Sequence, residues 1–309
     1  MSGSCIHRKA FAAAVVLGFA SCFIACGKSV KEPQVKRTIQ LDIYDIGNSF
    51  RRMAQIESCE KYSEPYAIEV LDGAIGLEES TFEDMKSVVK ISIPESVREI
   101  EYGAFDYCPN LQYISVSPKN KRYCDVDGVL YDKQESVLVY APLATKLETL
   151  KIPRGVKEFR WEDAIYGRKI SKIIIPASVS EISDEFLPEN CPSFSFITVD
   201  ANNEWYSAKD GVMYDKEKTE IICIPMALKI ASFTIPTTVR KWEKISQIYN
   251  LTNLIIPKEV LLNVSVEEDI VPLIQSCINL ENITIHDTVT DIETGCRYEE
   301  RDGILYGNL

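Results

Sequence analysis

Ile93-Pro94-Glu95-Ser96-Val97-Arg98-Glu99-Ile100, continuing through Ala104-Phe105, Cys108 and Leu111 to Ile114, is the stretch whose reading decides the fold. It recurs. Ile-Pro pairs return at Ile152-Pro153, Ile175-Pro176, Ile235-Pro236 and Ile256-Pro257, with successive prolines 59, 23, 60 and 21 residues apart. A unit of about 82 residues therefore contains a shorter one of about 23. Valine stands three residues after each proline, at Val97, Val156, Val179, Val239 and Val260. An apolar residue comes three further on, at Ile100, Phe159, Ile182 and Trp242. The second half returns as Phe186-Leu187, Cys191, Phe194 and Ile197, and again as Cys277, Leu280 and Ile283. Upstream, Phe82, Met85, Val88 and Ile91 each precede their counterparts by 23 residues, so the repeat begins near Ile68.

Each unit carries a strand-like alternation such as Leu111-x-x-Ile114-x-Val116, then a proline or loop, then a turn bearing Ala-Phe and Cys. No unit of this size buries its own apolar face, so the units must stack into a solenoid with one shared core. Parallel strands then line one side, and the cysteines at the shared slot form an internal column. The 59- and 60-residue spacings hold a further element. Asn120-Lys-Arg-Tyr123 leads to Asp127-Gly128-Val129-Leu130-Tyr131-Asp132-Lys133, and Asn203-Glu-Trp-Tyr206 leads to Asp210-Gly211-Val212-Met213-Tyr214-Asp215-Lys216. Asp-Gly between apolar strands is a hairpin signal. A third copy opens at Asp302-Gly303-Ile304-Leu305-Tyr306 and leaves no room for a returning strand, so an unpaired edge is expected there.

Ile-Pro-x-x-Val-x-x-Ile, then Ala-Phe-x-x-Cys-x-x-Leu-x-x-Ile, alternating with Asp-Gly-Val-Leu-Tyr hairpins, resembles the BspA-type, or treponemal-type, leucine-rich repeat over residues 68–309. The resemblance implies an α/β-type leucine-rich-repeat solenoid with a parallel strand-lined face and hairpin insertions on alternate coils. It also implies a surface-exposed or secreted, adhesin-like protein that binds other proteins and has no enzymatic activity of its own. In the stretch 156–170 the Phe and Cys slots are not clear, and 260–277 is longer than the repeat.

The N-terminal region predicts export and anchoring. Arg8-Lys9 precedes an uncharged run over 10–25 that is short for a membrane span and ends in Phe23-Ile24-Ala25-Cys26. That ending resembles a lipobox, with Cys26 as the lipidated residue and the membrane reached through acyl chains. The expected organisation is a signal peptide at 1–25, a solvated tether at 26–37, an N-terminal cap at 38–67 and the solenoid at 68–309. Ile43, Ile46, Phe50, Met53, Ile56 and Cys59 fall at near-helical spacing, which predicts a helical cap over the first coil.

Composition narrows the chemistry. The net charge of −12, or −14 once Arg8 and Lys9 are removed with the leader, disfavours nucleic acid as a partner. The two histidines are His7 in the leader and His286 in a proline slot. The sequence contains no Cys-x-x-Cys, His-Glu-x-x-His, P-loop or Gly-x-Gly-x-x-Gly motif after the leader. No catalytic residue, metal site or cofactor is therefore expected. Seven cysteines follow Cys26, and Cys108, Cys191 and Cys277 share a slot that also accepts Met85, which predicts buried thiols. Cys124 and Cys296, beside the hairpins, are expected to be more exposed. Outward strand positions at Tyr113, Ile174, Phe196 and Ile255 suggest an apolar stripe as the partner-binding surface, unless neighbouring loops cover it. The expected partner is a protein or other macromolecule, host extracellular molecules included. The rival expectation is a periplasm-facing structural or assembly lipoprotein of the envelope.

Overall fold

The computed structural model describes residues 30–46, 51–55, 63–79, 81–82, 85–106, 108–134, 136–165, 167–183, 191–242, 248–264, 270–285, 289–290, 297–301 and 304–308. Cys26, Cys59, Cys296 and His286 lie outside the described residues. The chain divides into two compact units, one of residues 1–147, 152–169 and 181–183, the other of residues 148–151, 170–180 and 184–309.

In the first unit, strands Thr38–Ile46, Tyr66–Val70, Val88–Ile93 and Tyr113–Val116 form a parallel ladder. Its register aligns Ile68 with Ile91 and Ile91 with Ile114, so the 23-residue repeat is one turn of a parallel-strand solenoid. A second parallel ladder runs through Arg51–Gln55, Gly76–Leu77 and Glu99–Ile100. Between the ladders the chain turns corners. The Cys108 carbonyl accepts the Leu111 N–H at 3.1 Å, and the Met85 carbonyl accepts the Val88 N–H at 3.2 Å. Residues spaced by three in the motif mark β-turns. Inside, Ile68, Ile91, Cys108, Leu111 and Ile114 are fully buried, and the rings of Phe82 and Phe105, one repeat apart, stack at 5.5 Å.

The N-terminal cap differs from expectation. Where near-helical spacing predicts a helix, Thr38–Ile46 and Arg51–Gln55 form antiparallel strands, one extending each ladder. Two forces favour this. Ile39, Leu41 and Ile43 alternate at the strand period within a β-branched segment. The first coil also presents unpaired ladder edges, which a strand satisfies with backbone bonds and a helix does not.

The first hairpin pairs Tyr123–Val126 with Val129–Asp132, and Val137–Tyr140 returns antiparallel to the latter. That returning strand also pairs in parallel with Glu158–Arg160, which in turn pairs with Glu181–Ser183, so the hairpin continues into a five-stranded sheet of its own. Asp127 and Gly128 both have positive φ, 53° and 82°, the turn that matches strand twist in a two-residue hairpin loop.

In the second unit, Thr149–Lys151, Lys172–Ile175 and Phe196–Val199 form one parallel ladder. Ser232–Thr234, Asn253–Ile256 and Asn282–Ile285 form another. Its hairpin, Tyr206–Lys209 with Val212–Asp215, repeats the turn with Asp210 at 53° and Gly211 at 87°. The prolines again start corners, since the carbonyls of Pro176, Pro236 and Pro257 accept the N–H of Val179, Val239 and Val260. Helix is scarce among the described residues: Trp161–Ala164, Lys258–Leu261 and Val271–Ser276 are single short turns. Near the C-terminus, Ile304–Asn308 pairs along its length with Arg297–Arg301. Among the described residues no strand pairs with its other edge, where a returning strand would lie.

Candidate functional sites

The expected stripe is changed by the hairpins. Tyr113 is fully buried, although it is absent from the internal apolar cluster of its unit. The hairpin turn lies on it. A Cβ at Gly128 would stand 2.6 Å from the Tyr113 ring, and the Gly128 carbonyl accepts the Ile114 N–H at 3.0 Å. Tyr113 is thus a seat for a turn, and its place as an exposed contact residue is corrected. Phe196 occupies the same position in the second unit, under Gly211, whose Cβ would meet its ring at 2.8 Å. There the cover is incomplete. Phe196 is 39% exposed, with the Lys172 ammonium 5.2 Å from its ring centre on the adjoining strand. Ile174, next to Lys172 and paired with Thr198, is half-buried. Ile255 is also half-buried, in the other ladder of that unit, where Ser232, Thr234, Asn282 and Thr284 are exposed. The outward positions of these two ladders are therefore mostly polar, with Phe196 exposed and Ile174 and Ile255 half-buried among them.

A different surface, in the first unit, was not anticipated. A groove of about 810 Å³ is lined by Tyr102, Phe105, Tyr140, Arg160, Asp163 and Arg168 among others. Tyr102 is 61% exposed, and the Arg160 guanidinium lies 4.5 Å from its ring centre while pairing with Asp163 at 2.7 Å. Arg168 is buried, donates from Nε to the Ala141 carbonyl and stacks 5.1 Å from the Tyr140 ring centre. Burial pushes the Tyr140 hydroxyl well up, with Arg168 opposing, and that hydroxyl donates to the Phe105 carbonyl at 3.3 Å. Three of these residues come from the stretch 156–170 where the repeat is unclear. Counted from Phe159, the Cys slot falls on Gly167 and the Phe slot on Ala164. The departure from the repeat was the available signal: small residues at core slots mark a turn built around other side chains.

The buried thiols match expectation. Cys108, Cys191 and Cys277 are buried thiols, and Cys124 is half-buried. Burial, then the charge of Asp106, raises the Cys108 thiol to about 12, while burial raises Cys277 to about 11 against a bond from Ser276. Such thiols are poor nucleophiles and metal ligands. Among the described residues no group of three or more His, Cys, Asp or Glu side chains is placed to hold a metal ion, and no helix is long and apolar enough to cross a membrane.

Comparison with known proteins gives a consistent family. The BspA type leucine rich repeat region matches residues 56–125 and 142–229, in six copies. The solved structures similar to this chain include a leucine-rich repeat protein from Eubacterium ventriosum, 22% identical with a TM-score of 0.46 over 72% of this chain and 61% of that one. A leucine rich cell surface protein from Faecalibacterium prausnitzii is 22% identical, with a TM-score of 0.46 over 73% of this chain and 55% of that one. The pneumococcal vaccine antigen PcpA is 15% identical, with a TM-score of 0.42 over 75% and 54% of the respective chains. This chain thus spans less than two thirds of each of these proteins. No curated protein matches it.

Proposed function

This chain belongs to the BspA type leucine-rich repeat family, and from that premise we propose that it is a cell-surface binding scaffold, lipid-anchored at Cys26, that contacts a protein partner through the second unit around Phe196. Solenoids of this kind are typically non-catalytic and suited to protein interaction. The observation that carries the reading is the Phe196 ring. It is exposed on an edge strand that is paired along its length with Lys172–Ile175, so it presents apolar area at little ordering cost. Lys172 beside it adds a positive charge, and Ile174 and Ile255 supply further apolar contact. Aromatic anchors of this type dominate protein interfaces. Host extracellular proteins are the partner class that a surface position makes available.

Surface biotinylation of intact cells, followed by capture on the purified chain, tests the reading. Phe196→Ser with Ile174→Ser should reduce capture of any specific partner at least tenfold without loss of folding. Unchanged capture by this variant removes the Phe196 surface from the proposal. Protease added to intact cells should digest the chain. Protection until the envelope is opened favours instead the periplasm-facing assembly role.

A further inference from the structure

Residues 30–37 do not leave the first unit as a free tether. The Arg37 carbonyl accepts the Ala67 N–H at 3.0 Å, on strand Tyr66–Val70. The Glu32 carboxylate meets the Lys90 ammonium at 2.6 Å, on the next strand of the ladder, Val88–Ile93. The Val30 N–H donates to Asp127 Oδ1 at 3.1 Å, in the hairpin turn that is bonded to the third strand through Ile114. The Arg37 bond opens the ladder of Thr38–Ile46 with Tyr66–Val70, and from there the segment runs back past Lys90 of Val88–Ile93 to the hairpin turn at Asp127. Strands lie about 4.8 Å apart, and eight extended residues reach roughly 25 Å, so the crossing needs no strain. Pro33 at its centre favours extended backbone. The Glu32–Lys90 pair is largely shielded, with side chains 36% and 20% exposed.

We infer that the strand-lined face of the first unit is a binding seat for an extended peptide with a single carboxylate among neutral and basic residues, and that residues 30–37 occupy it in cis. Lys90 reads a carboxylate, and Asp127 reads a backbone amide near it. Neither needs a particular fold in the ligand, only an extended chain with one acid near a free N–H. A partner segment of that chemistry takes the seat by displacing the chain's own. Because a tethered copy acts at an effective concentration in the millimolar range, occupancy in cis holds off weak ligands. The seat is independent of the Phe196 surface, so either proposal can fail without the other.

The test uses the full chain, a dye-labelled peptide of residues 29–37, and subtilisin cleavage within 30–37. The unaltered chain should resist cleavage there and leave the peptide unbound. Glu32→Lys sets like charges together, and should speed cleavage by a factor on the order of ten. Its emptied seat, with Lys90 intact, should now bind the peptide. Glu32→Lys combined with Lys90→Glu should restore resistance and exclude the peptide again. Equal cleavage in all three chains, or a released segment whose seat does not bind the peptide, overturns the inference.

Discussion

Two asparagines account for much of the regularity of the hairpins. Asn120 is buried, and its amide donates to the carbonyls of Pro94 and Val97 at 2.8 and 2.9 Å while its oxygen accepts the N–H of Arg122 and Tyr123. Asn203 does the same with Pro176, Val179, Trp205 and Tyr206. Each side chain bolts a hairpin to the preceding Pro-x-x-Val corner, and the ammonium of Lys133 or Lys216 caps the asparagine's own carbonyl. Asn120→Ala strands several buried backbone groups at about 1–3 kcal/mol each, so urea denaturation should show a loss of at least about 2 kcal/mol. Asn120→Asp keeps the acceptor but not the donors, and should recover only part. The thiols supply a second test at this scale. Cys108 lies near 12 in the fold against an ordinary 9.0, because burial disfavours the thiolate. The protonated state is the one that the fold favours. Its contribution is complete below pH 9 and is lost as pH rises toward 12, so stability should fall across that interval. Iodoacetamide should leave Cys108, Cys191 and Cys277 unlabelled at neutral pH until the chain is denatured.

The hairpin and the aromatic beneath it form the repeating element. Gly128 and Gly211 need positive φ and also the space where a Cβ would strike the Tyr113 or Phe196 ring. Gly128→Ala should therefore destabilise the first unit by about 2 kcal/mol or more, combining backbone strain with overpacking. At Gly211 the added Cβ would meet buried Leu228 at 2.9 Å as well as the Phe196 ring at 2.8 Å, so the same substitution should cost a comparable amount there. The aromatics themselves divide. Tyr113→Ser removes a fully buried ring and should cost about 3 kcal/mol or more, read by thermal denaturation. Phe196→Ser should cost under about 1 kcal/mol, since much of that ring already faces solvent. Equal losses at the two sites would show that Phe196 is as much a structural seat as Tyr113.

At the scale of the whole molecule the proposed anchor and the acidic charge act together. At −14 after loss of the leader, the proposed anchored chain would be repelled by anionic lipid headgroups, so on this reading its residence at a membrane would depend on acylation. Cys26→Ala should move the protein from the detergent phase to the aqueous phase in phase partitioning. A variant that stays in the detergent phase contradicts lipidation at Cys26. Anchoring at Cys26 would also bring the peptide seat of the first unit near the bilayer, since Val30 is already docked at Asp127.

The solenoid was legible because its determinants are local and repeated. Twenty-three residues make one turn, so every core position is written several times, and Ile68, Ile91 and Ile114 align in the structure as they do in the spacing. The Asp-Gly turns were legible for the same reason: positive φ at two adjacent positions is a local demand. The cap was not, because near-helical spacing and strand alternation coexist in 38–59, and the choice was made by ladder edges that exist only once the first coil has folded. The stripe was partly legible. Alternation turned Tyr113 away from Ile114 and Val116, but only tertiary structure laid a hairpin over it and left Phe196 partly exposed. The groove at Tyr102 and Arg168 and the crossing of residues 30–37 depend on contacts between segments far apart in sequence, such as Val30 with Asp127. Periodicity determines which face a side chain leaves by; what then covers that face is decided by distant chain, and spacing carries no record of it.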